Sequence, residues 1–143
     1  VERVSRTLPG LLQALKVSEA AVSKGFEWKC EQDVFEKLVS ELNELQDAIA
    51  DRAINQKSEE DERFKEEVEL EIGDVLFCIV NIARWQKINP EESLIKAIEK
   101  FKRRFTTMER ISEKPLDELS KDELAVLWGE AKERLSKPTS TSL

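Results

Sequence analysis

Apolar residues recur at steps of three or four along most of the chain, the spacing that places them on one face of an α-helix. The first such segment is predicted from Pro9 to Ser23, and Gly25 is its stop signal. The second is predicted from Asp33 to Asn55. Its apolar stripe consists of Val34, Leu38, Leu42, Leu45 and Ile49.

The third predicted helix, about Phe64 to Gln86, is apolar over a far wider arc than a single stripe. A helix that is apolar on most sides is usually buried on most sides. We therefore expect this helix to be the central and most buried one. Its apolar positions are Val68, Ile72, Val75, Leu76, Ile79, Val80 and Ala83.

Two start signals define the remaining helices. Asn89 is a suitable N-cap, with Pro90 at the first helical position and Glu92 at the third. This fourth helix is predicted to reach about Ile111, with a core face of Leu94, Ala97, Ile98, Phe101, Phe105 and Met108. The segment Ser120 to Glu123 repeats the capping-box pattern and begins a last helix through Leu127, Trp128 and Leu135.

These elements predict an all-α fold, a helical bundle of about five helices. A chain of 143 residues is long enough for one domain with its own core and too short for two ordinary ones. The predicted domain covers 8–136, and residues 137–143, rich in Ser and Thr with one Pro, are predicted to be a disordered tail. The chain begins at Val1 and not at a methionine, which leaves open that it is a trimmed form or part of a longer protein.

The charge and the cysteine content narrow the function class. A net charge of −7 argues against a nucleic-acid surface, because binding a polyphosphate backbone requires a basic field. No segment approaches the roughly 18 apolar residues of a membrane span, and the N-terminus lacks a signal-peptide layout. We therefore expect a soluble, cytoplasmic protein with no membrane association. Cys30 and Cys78 cannot form a disulfide framework, and Cys78 is interpreted as a buried free thiol.

Five acidic residues lie close to the predicted core. Glu41 falls at the edge of the apolar stripe of the second helix, and Glu44, three residues later, shares its face. On the third helix a polar strip of Glu67, Glu71, Asp74 and Asn81 runs through apolar surroundings. Burying several like charges is costly without a compensating partner, and a divalent cation would supply one.

The two pairs Glu41-x-x-Glu44 and Glu71-x-x-Asp74 could converge across a helix–helix interface. Four oxygen ligands suit magnesium or manganese. The absence of histidine excludes a Glu-x-x-His di-iron bundle and argues against a typical zinc site. The alternative is that these acids pair with Lys and Arg on neighbouring helices, and spacing alone does not decide between the two interpretations.

Basic and aromatic residues supply a possible complement. Lys100 and Arg104 are four apart on one edge of the fourth helix and could bind phosphate oxygens, whereas Arg103, four residues after Glu99, is interpreted as surface. The alternative for Lys100 and Arg104 is a solvated edge or ion pairs with another helix. Two tryptophans near helix boundaries or in the short last helix could stack on a base or belong to the core, namely Trp28 and Trp128.

A series of motifs in a fixed order resembles a known family. They are Leu8-Pro9-Gly10-Leu11-Leu12, Gly25-Phe26-Glu27-Trp28, Glu41-x-x-Glu44, Glu71-Ile72-Gly73-Asp74-Val75-Leu76-Phe77, Val80-Asn81-Ile82-Ala83-Arg84, Lys100-Phe101-Lys102-Arg103-Arg104-Phe105 and Trp128. The chain resembles the MazG nucleotide pyrophosphohydrolases, specifically their C-terminal catalytic domain, over nearly its whole length. It departs from the fuller family pattern where Ser40 and Leu70 stand in place of a doubled glutamate.

The resemblance implies a metal-dependent hydrolase. In this family pattern four acidic residues hold Mg²⁺ or Mn²⁺, the metal binds the triphosphate, and further residues surround the nucleotide. The implied metal ligands are Glu41, Glu44, Glu71 and Asp74, and the implied nucleotide contacts are Asn81, Lys100, Arg104 and Trp128, to which the stacking argument adds Trp28.

The implied reaction is hydrolysis of a nucleoside triphosphate between its α- and β-phosphates, which gives a nucleoside monophosphate and pyrophosphate. Glu41 and Glu67 are the candidates for the general base. The resemblance also implies a homodimer with its active site close to the subunit interface. Two alternatives remain: an inactive, regulatory or dimerisation module that kept the fold, and a related enzyme acting on a specialised nucleotide.

Overall fold

The computed structural model of the protein describes residues 1–137, and across this range it contains helices and no strand. The predicted all-α class is confirmed. The helices are α1 (Gly10–Val22), α2 (Glu31–Asn55), α3 (Asp61–Trp85), α4 (Pro90–Ile111) and α5 (Lys121–Ser136), with a 3-10 turn at Leu116–Glu118. Apart from Lys137, the predicted tail lies outside the described residues.

Side-chain caps begin the last two helices where the sequence predicted them. Asn89 Oδ1 accepts the backbone N–H groups of Glu91 and Glu92 at 2.9 and 3.2 Å. Ser120 Oγ accepts the Glu123 N–H at 3.1 Å, and the Glu123 carboxylate accepts the Ser120 N–H at 3.3 Å. These bonds satisfy backbone donors that a helix leaves unpaired at its start.

The chain divides into two compact units, one from Val1 to Ser93 and one from Leu94 onward. The single domain predicted for 8–136 stays a prediction. In the first unit α3 packs against both α2 and α1, as expected for a central helix. The core of this unit contains the fully buried Val34 and Val80 together with Leu15, Val68 and Cys78.

Several apolar positions predicted to be core are exposed. Ile72, Leu76 and Ile79 of α3 are 44 to 46% exposed, and Leu42 and Ile49 of α2 are also exposed. Part of the wide apolar arc of α3 is therefore not core, although α3 contains buried residues along its length. The physical reason is that α1 and α2 cover only part of the circumference of α3, and an uncovered apolar arc of this kind is typical of an interaction surface.

In the second unit, too, residues of α4 that were predicted to be core are exposed. Phe101 packs against Phe105 and Trp128, with ring centroids 6.0 and 5.4 Å away. Met108 is buried as predicted, but the other residues of the predicted core face are exposed, so that part of the prediction is wrong. They are Leu94, Ala97, Ile98, Phe101 and Phe105. None of the helices in residues 1–137 combines the length and the apolar run needed to cross a membrane.

Candidate functional site

Three carboxylates from α2 and α3 meet at the helix interface. One carboxylate oxygen each from Glu41, Glu44 and Glu71 lies within 4.8 Å of the others. The spacing of three residues on α2 places Glu41 and Glu44 on one face, and the packing of α2 on α3 brings Glu71 to that face. The convergence expected of the two acidic pairs is thus seen for three acids, and Asp74 is not part of this cluster. We call Glu41, Glu44 and Glu71 the carboxylate cluster.

The cluster contains buried oxygens that lack a donor. Glu41 is 5% exposed, Glu71 is half-buried and Glu44 is exposed. Within residues 1–137, Glu41 Oε2 and Glu71 Oε2 are both buried and have no hydrogen-bond partner. A buried carboxylate oxygen without a partner is unfavourable, and a cation would offset that cost. Oxygen donors of this kind fit Mg²⁺ or Mn²⁺.

Two carboxyl groups of the cluster have pKa values shifted in opposite directions. Burial raises the pKa of the Glu71 carboxyl, and the negative charges of Glu44, Asp74 and Glu41 raise this pKa further. The pKa of Glu41 is instead lowered, chiefly because Lys37 Nζ donates to Glu41 Oε1 at 2.5 Å. That same bond raises the pKa of Lys37. Lys37 therefore stabilises the ionised form of Glu41, whereas burial and the neighbouring carboxylates oppose ionisation of Glu71.

Asp74 and Glu67 lie beside the cluster. Asp74 is exposed, is near enough to act on the pKa of Glu71, and lines a cavity together with Glu41. Glu67 accepts a hydrogen bond from Arg63 Nε at 3.4 Å, so it sits in a surface ion pair. The ligand role of Asp74 and the base role of Glu67 stay predictions.

A cavity of about 570 Å³ opens next to the carboxylate cluster within the first unit. This volume lies in the range of small-molecule sites. Its wall is mostly apolar, and Trp28, 37% exposed, and Asn81, 8% exposed, both line it. The apolar lining residues are Val17, Ala21, Val22, Phe26 and Phe77. The volume and the apolar wall suit a small molecule with a flat, apolar part, and the cavity lies beside two of the predicted ligands, Glu41 and Asp74.

Three residues that line this cavity were not predicted as site residues from the sequence. Lys37 stands four residues before Glu41, a spacing that signals an ion pair on a helix, and this signal was available. Arg84 is part of a motif that pointed to the family, but nothing in its spacing indicates its partners. Ser18 sits on α1 among small and apolar residues, and its contact with Asn81 depends on tertiary packing.

The second unit contains a basic cleft. Lys100, Arg103 and Arg104 line a depression of about 220 Å³ together with Lys132 of α5. The guanidinium of Arg104 lies 5.8 Å from the centroid of the Trp128 ring. Within 94–137 neither Lys100 nor Arg104 forms an ion pair with a carboxylate of that unit. The cleft therefore keeps uncompensated positive charge, which suits an anion.

Comparison with known proteins gives one family. Residues 30–108 match the family model of the MazG nucleotide pyrophosphohydrolase domain. Over 135 residues, 92% of this chain, the sequence is 37% identical to the nucleoside triphosphate pyrophosphohydrolase/pyrophosphatase MazG of Thermotoga maritima. Over 111 residues, 78% of this chain, it is 33% identical to a nucleoside triphosphate pyrophosphohydrolase of Escherichia coli.

These matches cover 48% of the Thermotoga protein and 39% of the Escherichia coli protein, so the chain spans about half or less of the length of these relatives. The matched family segment contains the carboxylate cluster, Asp74 and Asn81. On the family match and the two relatives together, the chain belongs to the MazG nucleotide pyrophosphohydrolase domain family.

Proposed function

We propose that this chain is a metal-dependent nucleoside triphosphate pyrophosphohydrolase that cleaves between the α- and β-phosphates. The observation that carries the proposal is the carboxylate cluster, with its two unpartnered buried oxygens, beside a cavity of nucleoside size. The activity for which both relatives are named supports the same reaction class. The products are a nucleoside monophosphate and pyrophosphate.

The residues that would hold Mg²⁺, with Mn²⁺ as the substitute, are Glu41, Glu44, Glu71 and Asp74. When bound, such an ion neutralises charge on phosphate oxygens and makes a water molecule more acidic. The donor set fits, because it is made of carboxylate oxygens and two of them have no other partner within the described chain. The raised pKa of Glu71 indicates a site that is overcharged without a cation.

In the proposed reaction the oxygen of water forms a bond to the α-phosphorus, and the bond from that phosphorus to the bridging oxygen breaks. The electron pair of the broken bond leaves with pyrophosphate, and the proton of the water passes to a base. Glu41 and Glu67 are the candidates for this base, and each already has one carboxylate oxygen paired with a cationic side chain. Lys100 and Arg104 would stabilise the negative charge on the leaving pyrophosphate.

The nucleoside would occupy the apolar cavity. Trp28 and Asn81 line it, and Trp128, whose ring lies beside Arg104 and Phe101 in the second unit, is the second candidate for stacking on the base. A base held mainly by apolar and stacking contacts is selected weakly, because few edge hydrogen bonds distinguish one base from another. We therefore expect activity on several nucleoside triphosphates.

A homodimer forms part of the proposal. The exposed apolar arc of α3 and the exposed apolar stripe of α4 both have the character of surfaces that a second copy would cover. Sedimentation or light scattering of the purified chain measures this directly. A monomer at all concentrations would contradict the dimer without affecting the assignment of the carboxylate cluster.

The test of the activity is release of pyrophosphate from a panel of ribo- and deoxyribonucleoside triphosphates, with and without Mg²⁺. Release that needs the metal, and that Glu71→Gln abolishes, is the expected result. Glu69→Gln, an exposed acid on the same helix, is the matched control and should keep its rate. No release from any nucleotide would instead favour a binding or dimerisation module.

A further inference from the structure

A chain of hydrogen bonds joins the loop at Trp28 to the interior of the first unit. It begins with a two-point contact in which Arg84 Nη1 and Nη2 donate to Glu27 Oε2 and Oε1 at 2.5 and 2.6 Å. Glu27 Oε1 also accepts the backbone N–H of Trp28 at 2.9 Å. Arg84, whose side chain is 12% exposed, therefore fixes the loop residue whose ring lines the cavity.

The third donor of Arg84 continues the chain inward. Arg84 Nε donates to Ser18 Oγ at 2.8 Å, and Ser18 Oγ donates to Asn81 Oδ1 at 2.6 Å. Ser18 and Asn81 are 4% and 8% exposed, so these bonds are shielded from water. The chain therefore connects the loop, α1 and α3 through one guanidinium.

Hydrogen bonds on two sides hold the Asn81 amide. Asn81 Nδ2 donates to the Phe77 carbonyl at 3.1 Å, and because a carbonyl can only accept, this bond decides which end of the amide faces it. At the other end Asn81 Oδ1 accepts from Ser18 Oγ. Ser18 Oγ accepts from Arg84 and keeps its own hydrogen for this bond to Asn81.

We propose that Arg84 is a positioning residue for nucleotide binding, which holds the Asn81 amide in place through Ser18 and the backbone of Trp28 through Glu27. This inference rests on the proposed function, because it assumes that the cavity lined by Asn81 and Trp28 receives the nucleoside. Arg84 lines the cavity as well, but three of its N–H groups bond to Glu27 and Ser18, and the proposed role acts through these two residues.

The chemistry of the pair supports a fixed geometry. The two parallel bonds of a guanidinium on a carboxylate are stronger and more directional than a single contact with an ammonium group. The bond to Arg84 also lowers the pKa of Glu27, so this carboxylate stays ionised and keeps both acceptors. Arg84→Lys would keep the positive charge but lose both the two-point contact with Glu27 and the hydrogen bond to Ser18.

The first test reads the amide itself and needs no activity. In isotope-labelled protein, the side-chain amide signals of Asn81 are assigned through their absence in Asn81→Ala. We expect Arg84→Lys, Arg84→Gln and Ser18→Ala each to move these signals. Arg52→Gln breaks an ion pair of 3.3 Å with Asp61, outside the cavity lining, and should leave them in place.

The second test separates binding from chemistry. For Mg²⁺-dependent pyrophosphate release, Arg84→Lys and Ser18→Ala should raise KM roughly ten-fold, as expected for loss of a hydrogen bond involving a charged group. The value of kcat should stay within about two-fold, because the carboxylate cluster is untouched. Calorimetric affinity for Mg²⁺ without nucleotide should also be unchanged, which a general loss of structure would not give.

The two proposals fail differently. If the unmodified protein releases no pyrophosphate, the proposed function is wrong, while the Asn81 signals still decide the positioning role. If the Arg84 and Ser18 variants leave those signals and KM where Arg52→Gln leaves them, the positioning role is wrong. Ser18→Ala removes one hydroxyl only, so it keeps the test decisive should the Arg84 variants fail to fold.

Discussion

The ion pair between Lys37 and Glu41 predicts how the carboxylate cluster behaves without metal. The two side chains meet at 2.5 Å, with the Glu41 side chain 6% exposed and the Lys37 side chain 42% exposed. Lys37→Met keeps most of the length of the stem and removes the charge. Breaking a fully buried pair costs about 3 to 5 kcal/mol and an exposed pair under about 1 kcal/mol. Because water still screens Lys37, we expect a loss of about 1 to 2 kcal/mol, or roughly 3 to 6 °C in Tm.

The pH dependence identifies the cause. Lys37 lowers the pKa of Glu41, so its stabilising contribution is present above the unfolded carboxyl value and is lost as pH falls through the lower folded value. The difference in Tm between the unmodified protein and Lys37→Met should therefore shrink on acidification. Thermal unfolding followed by circular dichroism in chelator, from neutral to acidic pH, measures this difference. Lys65→Met, an exposed lysine on α3, is the control.

The effect of Mg²⁺ on Tm provides a second test of the same prediction. Lys37→Met leaves the cluster more negative, so Mg²⁺ should restore more of its Tm than it adds to the unmodified protein. A ligand at 100 times its Kd stabilises the folded state by about 2.7 kcal/mol. A deficit that stays constant across pH, and that Mg²⁺ does not reduce, would refute the electrostatic reasoning and indicate lost packing.

Three further predictions concern the same site and its surroundings. Glu71→Gln should abolish metal-dependent pyrophosphate release and weaken Mg²⁺ binding by calorimetry while helicity is kept, and an unchanged rate would remove Glu71 from the ligand set. Glu27→Gln should lose less stability than the unmodified protein as pH falls below about 4.5, because the lowered pKa of Glu27 gives a contribution that is present above its unfolded value and lost as pH falls through the lower folded value. Denaturant unfolding at several acidic pH values checks this, and an equal dependence of the unfolding free energy on pH in both proteins would contradict it. Arg104→Gln should reduce kcat/KM by about 10²-fold if its charge stabilises the leaving pyrophosphate, measured against Lys132→Gln from the same cleft, and equal effects of both would argue against a specific role.

Helix starts could be predicted from the sequence where a side chain caps the helix. Asn89 and Ser120 supply such caps, and both starts were predicted at the residue observed. Among the described residues, α2 and α3 begin after Cys30 and Glu60, which make no side-chain cap bond. Both helices start two or three residues earlier than predicted, because acids in their first turns favour the positive end of the helix dipole.

The candidate site could be predicted as far as helix periodicity reaches. Glu41 and Glu44 share a face by spacing alone, and α2 packing on α3 then brings Glu71 to them. Periodicity states which residues are apolar but not what covers them, so the exposure of Ile72 and Leu76 could not be read from the pattern. The contacts of Ser18 with Arg84 and Asn81 join residues 63 and 66 positions apart and depend on how α1 docks.

The position of two groups on one helix has a further consequence. Glu71 of the carboxylate cluster and Asn81 of the cavity wall both belong to α3, without a break between them. At about 1.5 Å per residue, the continuous helix fixes the distance between these two residues along its axis at roughly 15 Å. One residue inserted between them would turn Asn81 by about 100° around the axis. This stretch of α3 should therefore accept no change of length.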